Sequence, residues 1–223
     1  MISHPAPWSA LITLPLAPSA STVAVILALE QAILACDLEV VDTVPAFNAL
    51  LVTGRPESWD PRIVERRLSD FAKGLLEQPP PVTSSPQTIE LPACYSPALA
   101  PDLEAVAQRH SLTPQDLARI HAESTYTVLA VGFSPGFAYL GDLDSRLATP
   151  RRDAPRPDVA AGSVGLADRR TAVYPSNGPG GWQLIGRVPA SLFADAEQRL
   201  ARFMPGDQVR FRAITEQEFA RAS

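Results

Sequence analysis

A chain of 223 residues with 46% hydrophobic content can form one large domain or two small ones with ordinary cores. Its net charge of −5 and pI near 5.2 argue against non-specific nucleic-acid binding. Lys73 is the only lysine, so neither a Schiff-base site nor a phosphate loop ending in Gly-Lys is expected. Two cysteines, Cys36 and Cys94, are too few for a disulfide scaffold, and no apolar run approaches the roughly 20 residues needed to span a bilayer. Ile33-Leu34-Ala35-Cys36 has the look of a lipoprotein cleavage box. Nothing before Glu30 is basic, however, and Glu30 and Gln31 interrupt the apolar segment, so it reads as a helix end in a cytoplasmic protein with no membrane partner.

Taken in order, Trp8 to Leu14 is a short apolar run of strand type. Ser19 and Ser21 are cap candidates for a well-buried helix over Val23 to Ala35. Leu38 to Val44 and Phe47 to Thr53 flank a turn with Pro45 and read as paired strands. Pro61 to Leu76 reads as an amphipathic helix with Ile63, Leu68, Phe71 and Leu75 on one face. Strand, helix, strand, strand, helix suggests a small ferredoxin-like unit over residues 1–80. Gln78 to Pro86, with three consecutive prolines, is the best domain boundary.

Residues 87–223 have a different texture. Thr88 to Cys94 reads as a strand in which Pro92 marks an edge or bulge. Helices follow at Pro101 to His110 and from Thr113 to Glu123. The second has Thr113 as cap, Pro114 at the first helical position and Asp116 where the dipole favours it. Strands are expected at Thr125 to Val131, Val164 to Leu166, Thr171 to Tyr174, Trp182 to Val188 and Gln208 to Ile214. Ten of the 12 glycines lie between Gly132 and Gly206. Many short strands with glycine turns and two helices suggest a closed β-barrel, and the whole chain an α+β protein.

Several patterns in this half carry or exclude chemistry. Gly132-Phe133-Ser134-Pro135-Gly136 fits a nucleophile elbow by spacing, but Pro135 has no N–H to donate to an oxyanion and no histidine follows His121. His4, His110 and His121 show no metal-ligand spacing, so no metal site is expected from this chain alone. His121, at a helix end, reads either as a residue favoured by the dipole or as a general base or interface contact. Asp142 and Asp144 read as turn formers. Arg146, Arg151, Arg152 and Arg156 make a basic patch among prolines, whose planar forks suit carboxylates and phosphates. Asn177 to Trp182 places Gly180-Gly181 before a strand, either as a tight turn or as an inward-facing anion nest, with Arg187 able to close it.

The blocks GFSPGFAYLG, RLATPRR, AGSVGLA and GPGGWQLIGR, in this order, resemble the KipI family, whose members are also called 5-oxoprolinase B subunits, allophanate hydrolase subunit 1 or the carboxyltransferase C/D subdomain. The resemblance implies a cyclophilin-like second domain and a shared site. Its residues would be Phe133, Gly136, Phe137, Tyr139, Arg146, Arg151, Arg156, Gly162, Ser163, Pro179, Gly180, Gly181, Trp182 and Arg187, with His121 as the catalytic candidate. It also implies two partners, an A subunit and a carboxyltransferase-type C subunit. The three together would open 5-oxo-L-proline to L-glutamate at the expense of ATP, with magnesium as the cofactor of the assembled complex. A kinase-inhibitor role, with a sensor histidine kinase as partner, and a urea-amidolyase-type carboxyltransferase role are the alternatives.

Overall fold

The computed structural model describes residues 1–78, 86–193 and 202–223, so the proline-rich boundary segment lies mostly outside the described residues. The chain divides into two compact units, Met1–Ser85 and Pro86–Ser223.

In the first unit, β1 (Ile2–Ser3), β2 (Ser9–Thr13), β3 (Val40–Ala46) and β4 (Ala49–Gly54) form an antiparallel sheet in the order β1-β2-β4-β3. Helices α1 (Ala20–Leu34) and α2 (Pro61–Glu77) bury one core against it, with Ile12, Leu50 and Val52 meeting Ile26, Leu29, Val64 and Leu68. Ser19 caps α1 by accepting from the Thr22 N–H, and Asp60 caps α2 ahead of Pro61. One expectation needs correction. Ile63 is half exposed while Val64 turns inward, because Val64 and Leu68, one helical turn apart, define the inner stripe and Ile63 lies about 100° away from it. The expected order of strand, helix, strand, strand, helix runs from β2 to α2, and the N-terminal β1 adds a strand beside β2.

In the second unit, seven strands form a sheet in the order β12-β9-β10-β7-β6-β13-β5. They are β5 (Thr88–Ala93), β6 (Thr125–Val131), β7 (Ala138–Gly141), β9 (Ser163–Ala167), β10 (Arg170–Val173), β12 (Gln183–Arg187) and β13 (Gln208–Ala213). All neighbours are antiparallel except β5 and β13, which run parallel. Beyond β5, Cys94 exchanges both backbone hydrogen bonds with Arg187 of β12, each 2.8 Å, and draws the two ends of the sheet together. The result is a nearly closed barrel, in keeping with the cyclophilin-like barrel implied by the resemblance. A separate two-stranded ribbon pairs β8 (Arg156–Val159) with β11 (Gly178–Gly180).

Helices α3 (Leu103–Arg109) and α4 (Pro114–Glu123) supply Leu103, Val106, Leu117 and Ile120 to the main core, beside Leu91, Val128, Leu140, Val209 and Phe211. Thr113 caps α4 by accepting from the Asp116 N–H at 3.0 Å. A short helix, α5 (Glu216–Ala222), ends the chain behind a capping box of Thr215 and Glu218.

Candidate active site

The period of two along a strand creates two hydrophobic clusters from the same sheet. Ala138 and Leu140 of β7 enter the main core, whereas Phe137 and Tyr139 join a second cluster. Val173 faces the main core, whereas Ala172 and the following Tyr174 join the second, as do Trp182 and Leu184. Phe137 is at its centre, with ring centroids 4.9 Å from Tyr139, 5.4 Å from Tyr174, 5.7 Å from Trp182 and 5.3 Å from Phe133. These edge-on contacts fix the rings relative to one another.

A cleft of about 250 Å³ opens on this cluster, lined by Phe133, Phe137, Tyr139, Arg151, Pro155, Tyr174, Pro179, Gly180, Gly181 and Trp182. Trp182 is only 5% exposed, so it forms the wall rather than a protruding anchor. Phe133 is 69% exposed at the rim. Its φ of +80° lies on the left-handed side, which costs a non-glycine residue of order 1 kcal/mol. The turn that holds it is closed by Gly132 N–H donating to the Phe137 carbonyl and Phe137 N–H donating to the Ser134 carbonyl, both 3.0 Å. Gly136, at φ +82°, completes that turn. A Cβ on Gly180 would run into the Tyr174 ring, which is why the ribbon can lie flat against it.

The arginines separate by their partners. Arg146 is held by Asp144, through Nε at 3.0 Å and a terminal nitrogen at 2.7 Å, and this pairing, with the Arg146 backbone N–H, lowers the Asp144 pKa to about 2. Arg152 and Arg156 both reach the buried Asp102, at 3.3 and 2.7 Å. Asp102 also accepts from the Leu184 N–H at 2.6 Å and so ties the arginine loop to β12. Arg156 further donates toward the Trp182 carbonyl at 3.5 Å. Arg187 donates from Nε to the Ala161 carbonyl and is not part of the cleft wall. Arg151 alone faces the cleft, with its guanidinium carbon 6.0 Å from the Trp182 ring centroid and no carboxylate pairing among the described residues. Its loop is pinned on both sides, because Gln183 donates to the Pro150 carbonyl and Arg152 N–H donates to the Gly181 carbonyl.

The remaining predicted site residues lie elsewhere. Gly162 has a φ of +82° and a Cβ there would strike the Val188 carbonyl; Ser163 donates to the Ala160 carbonyl at 2.6 Å. Both serve a turn. His121 is fully buried, between the rings of Tyr126 and Phe211. The Thr171 hydroxyl donates to the Gly165 carbonyl and accepts from His121 Nε2, which leaves Nδ1 to accept from the Tyr95 hydroxyl at 2.7 Å. Burial lowers its pKa to about 3, so the ring is neutral and its polar atoms point at core partners. Asp102, Tyr174 and Pro155 belong to the site without standing out in the sequence. Only Asp102 carries a signal, as an acid at a helix start, and that pattern ordinarily means a cap.

A larger cavity of about 640 Å³ lies along α4, lined by Tyr95, Ala118, Ala122 and Thr215 among others. Of its charged groups, Arg119 pairs with Asp116 and Glu123, and Glu216 with Ser96. The residues singled out in the sequence, Phe133, Phe137, Tyr139, Arg151, Pro179, Gly180, Gly181 and Trp182, converge instead on the smaller cleft.

The cleft does not suit ATP by itself. Its volume is below the roughly 300–1,000 Å³ of sites for drug-sized ligands. Among the described residues, Arg151 is the only charged side chain on its wall, with no carboxylate to hold magnesium.

The family model described as carboxyltransferase domain, subdomain C and D, matches residues 6–203. The chain is 36% identical over 193 residues to the 5-oxoprolinase B subunit of Bacillus subtilis (strain 168), covering 80% of this chain and 78% of that one. It is 40% identical over 173 residues to the 5-oxoprolinase B subunit of Escherichia coli O157:H7, covering 77% of each. The crystal structure of TTHA0988 superposes with a TM-score of 0.75 at 29% identity, over 96% of this chain; the chain spans 40% of that longer protein. On the extent of the family match and on these identities, the chain belongs to the carboxyltransferase subdomain C and D family.

Proposed function

We propose that this chain is the B subunit of a cytoplasmic 5-oxoprolinase, acting with A and C subunits to open 5-oxo-L-proline to L-glutamate at the expense of ATP. The observation that carries this reading is the character of the cleft. It has aromatic walls and a single cation, with no histidine, carboxylate, cysteine or lysine on its lining. Such a surface can bind and orient a ring but offers neither a nucleophile–base pair nor a phosphate cradle. That is the composition expected of half a site, with the reacting groups supplied by a partner. Identities of 36% and 40% to 5-oxoprolinase B subunits, over more than three quarters of each chain, support the same reading.

Within that scheme this chain holds the substrate against Trp182 and Tyr139, excludes water from the ring face, and leaves ATP to the other subunits. A stable lactam requires activation, and phosphorylation of the amide oxygen by ATP is chemistry the partners would supply. The carboxyltransferase name of the family favours one second reading, a piece of a urea-amidolyase-type carboxyltransferase.

The test is co-expression with candidate A and C subunits, followed by 5-oxoproline-dependent ATP hydrolysis and glutamate release. Activity is expected from the assembly and none from the purified chain. Full activity from the chain alone would refute the half-site. An assembly that is inert toward 5-oxoproline but carboxylates urea once a biotin-carboxylase partner, bicarbonate and ATP are supplied would favour the second reading.

A further inference from the structure

We infer that the Trp182 cleft is the recognition site for a small flat ring bearing a carboxylate, with Arg151 taking the carboxylate and the aromatic wall taking the ring. The ring-acid identity as 5-oxoproline rests on the function proposed above; the site itself rests on geometry.

Three observations converge. First, among the arginines of the loop, Arg151 is the one left without an internal carboxylate. Asp144 occupies Arg146, and Asp102 occupies Arg152 and Arg156. A guanidinium standing over an aromatic ring keeps its in-plane N–H groups directed outward, where they can grip a carboxylate through two bonds. Second, the backbone on either side of Arg151 is held before any ligand arrives. The carbonyl just before it and the N–H just after it are bonded to Gln183 and Gly181, the neighbours of Trp182, and the ring lies 6.0 Å away. Preorganisation of this kind is what a binding group needs if its own ordering is not to cancel the contact. Third, the cleft is narrow and apolar apart from Arg151 and two tyrosines. Its 250 Å³ admits a ligand of about ten non-hydrogen atoms and leaves no space for a nucleotide. The exposed, backbone-strained Phe133 stands at the mouth, where an aromatic edge can cover the outer face of a bound ring.

Glycine at 181 gives an independent handle. A Cβ there meets only Pro155, at 3.8 Å, so the fold tolerates a larger residue, yet both residues line the cleft and added atoms take ligand space. Arg151→Gln removes the cation and Gly181→Val removes room, with neither touching the buried network.

The experiment has two arms. In the first, ligand-observed NMR on the full chain compares 5-oxoproline with 2-pyrrolidone, the same lactam without the carboxylate. The native chain should bind the acid more tightly than the neutral lactam. R151Q should weaken the acid by roughly 10- to 100-fold and erase the preference, as expected from losing a charge-assisted pair. G181V should weaken both lactams. Absence of any binding to the native chain, or equal binding of the acid by R151Q and the native chain, would overturn the inference. In the second arm, the assembled enzyme is assayed with each variant. R151Q should raise KM for 5-oxoproline by a similar factor while kcat moves less. If the assembly turns over 5-oxoproline and R151Q leaves KM unchanged, the site is wrong and the function stands. If the chain binds the acid through Arg151 and the assembly does not turn it over, the site stands and the function is wrong.

Discussion

His121 and Arg151 both stand against aromatic rings in the barrel unit, to opposite ends. Around His121 every polar atom finds a core partner: Tyr95 donates to one ring nitrogen, Thr171 accepts from the other, and Gly165 accepts from Thr171. Burial is complete and the ring is held neutral. Around Arg151 the backbone is held by one hydrogen bond on each side, at Pro150 and Arg152, while the guanidinium is offered to an open cleft. A basic group whose bonds are saturated within the fold serves the fold. One that is positioned with equal care and left with bonds to make serves a ligand.

This contrast can be broken or sharpened by substitution, from the largest effect downward. Asp102→Ala should destabilise the barrel unit by about 3–5 kcal/mol, because Arg152 and Arg156 lose their shared carboxylate and the buried Leu184 N–H its acceptor. Urea unfolding measures it, and a loss under about 1 kcal/mol would mean the loop is held by its backbone bonds alone. His121 predicts an acid-labile fold. Its folded pKa lies below the ordinary 6.5, so above that value neither state binds the proton and stability is level. As pH falls from 6.5 toward about 3, the unfolded chain takes up the proton first and stability declines, by at most about 1.4 kcal/mol per pH unit from this one group. His121→Gln should flatten that part of the profile. Residual slope will come from His110, which burial and Arg109 shift the same way, and, at lower pH, from Asp144. Gly180→Ala should cost about 1–3 kcal/mol through the Tyr174 ring, whereas Gly178→Ala, which meets no atom within 4 Å, should cost within about 0.5 kcal/mol. Arg151→Gln should be the smallest of all in stability, within about 0.5 kcal/mol by thermal melting, though large in binding. If it unfolds the protein, Arg151 belongs with His121 and the contrast fails.

Much of the architecture is readable because its signals are local. Asp60-Pro61 and Thr113-Pro114 are helix starts by short-range chemistry, and Thr125 to Val131 is a strand by composition; the structure places helices and a strand there. What the sequence hides depends on distant partners. Strand β7 follows a glycine turn so closely that its four residues read as part of the loop. The ribbon of β8 and β11 is built from prolines and glycines, residues that ordinarily argue against strands. The cleft is legible as a block of aromatics and glycines, but the ranking of the arginines is not. Arg156 is neutralised by an aspartate 54 positions away, and nothing in the local pattern announces that pairing. His121 is ambiguous for the same reason, since a helix-end histidine looks alike whether it meets solvent or Tyr95.

The bond pair between Cys94 and Arg187 gives the barrel a seam one rung wide. Gly186 keeps that seam close, since any side chain there would crowd the Cys94 carbonyl and the Tyr95 ring, each 3.1 Å from a Cβ. A single rung still covers part of the two strand edges on which other chains would otherwise template themselves. Opening it would bare β5 and β12 further, and what resists that at the seam is two amides and one hydrogen-only residue.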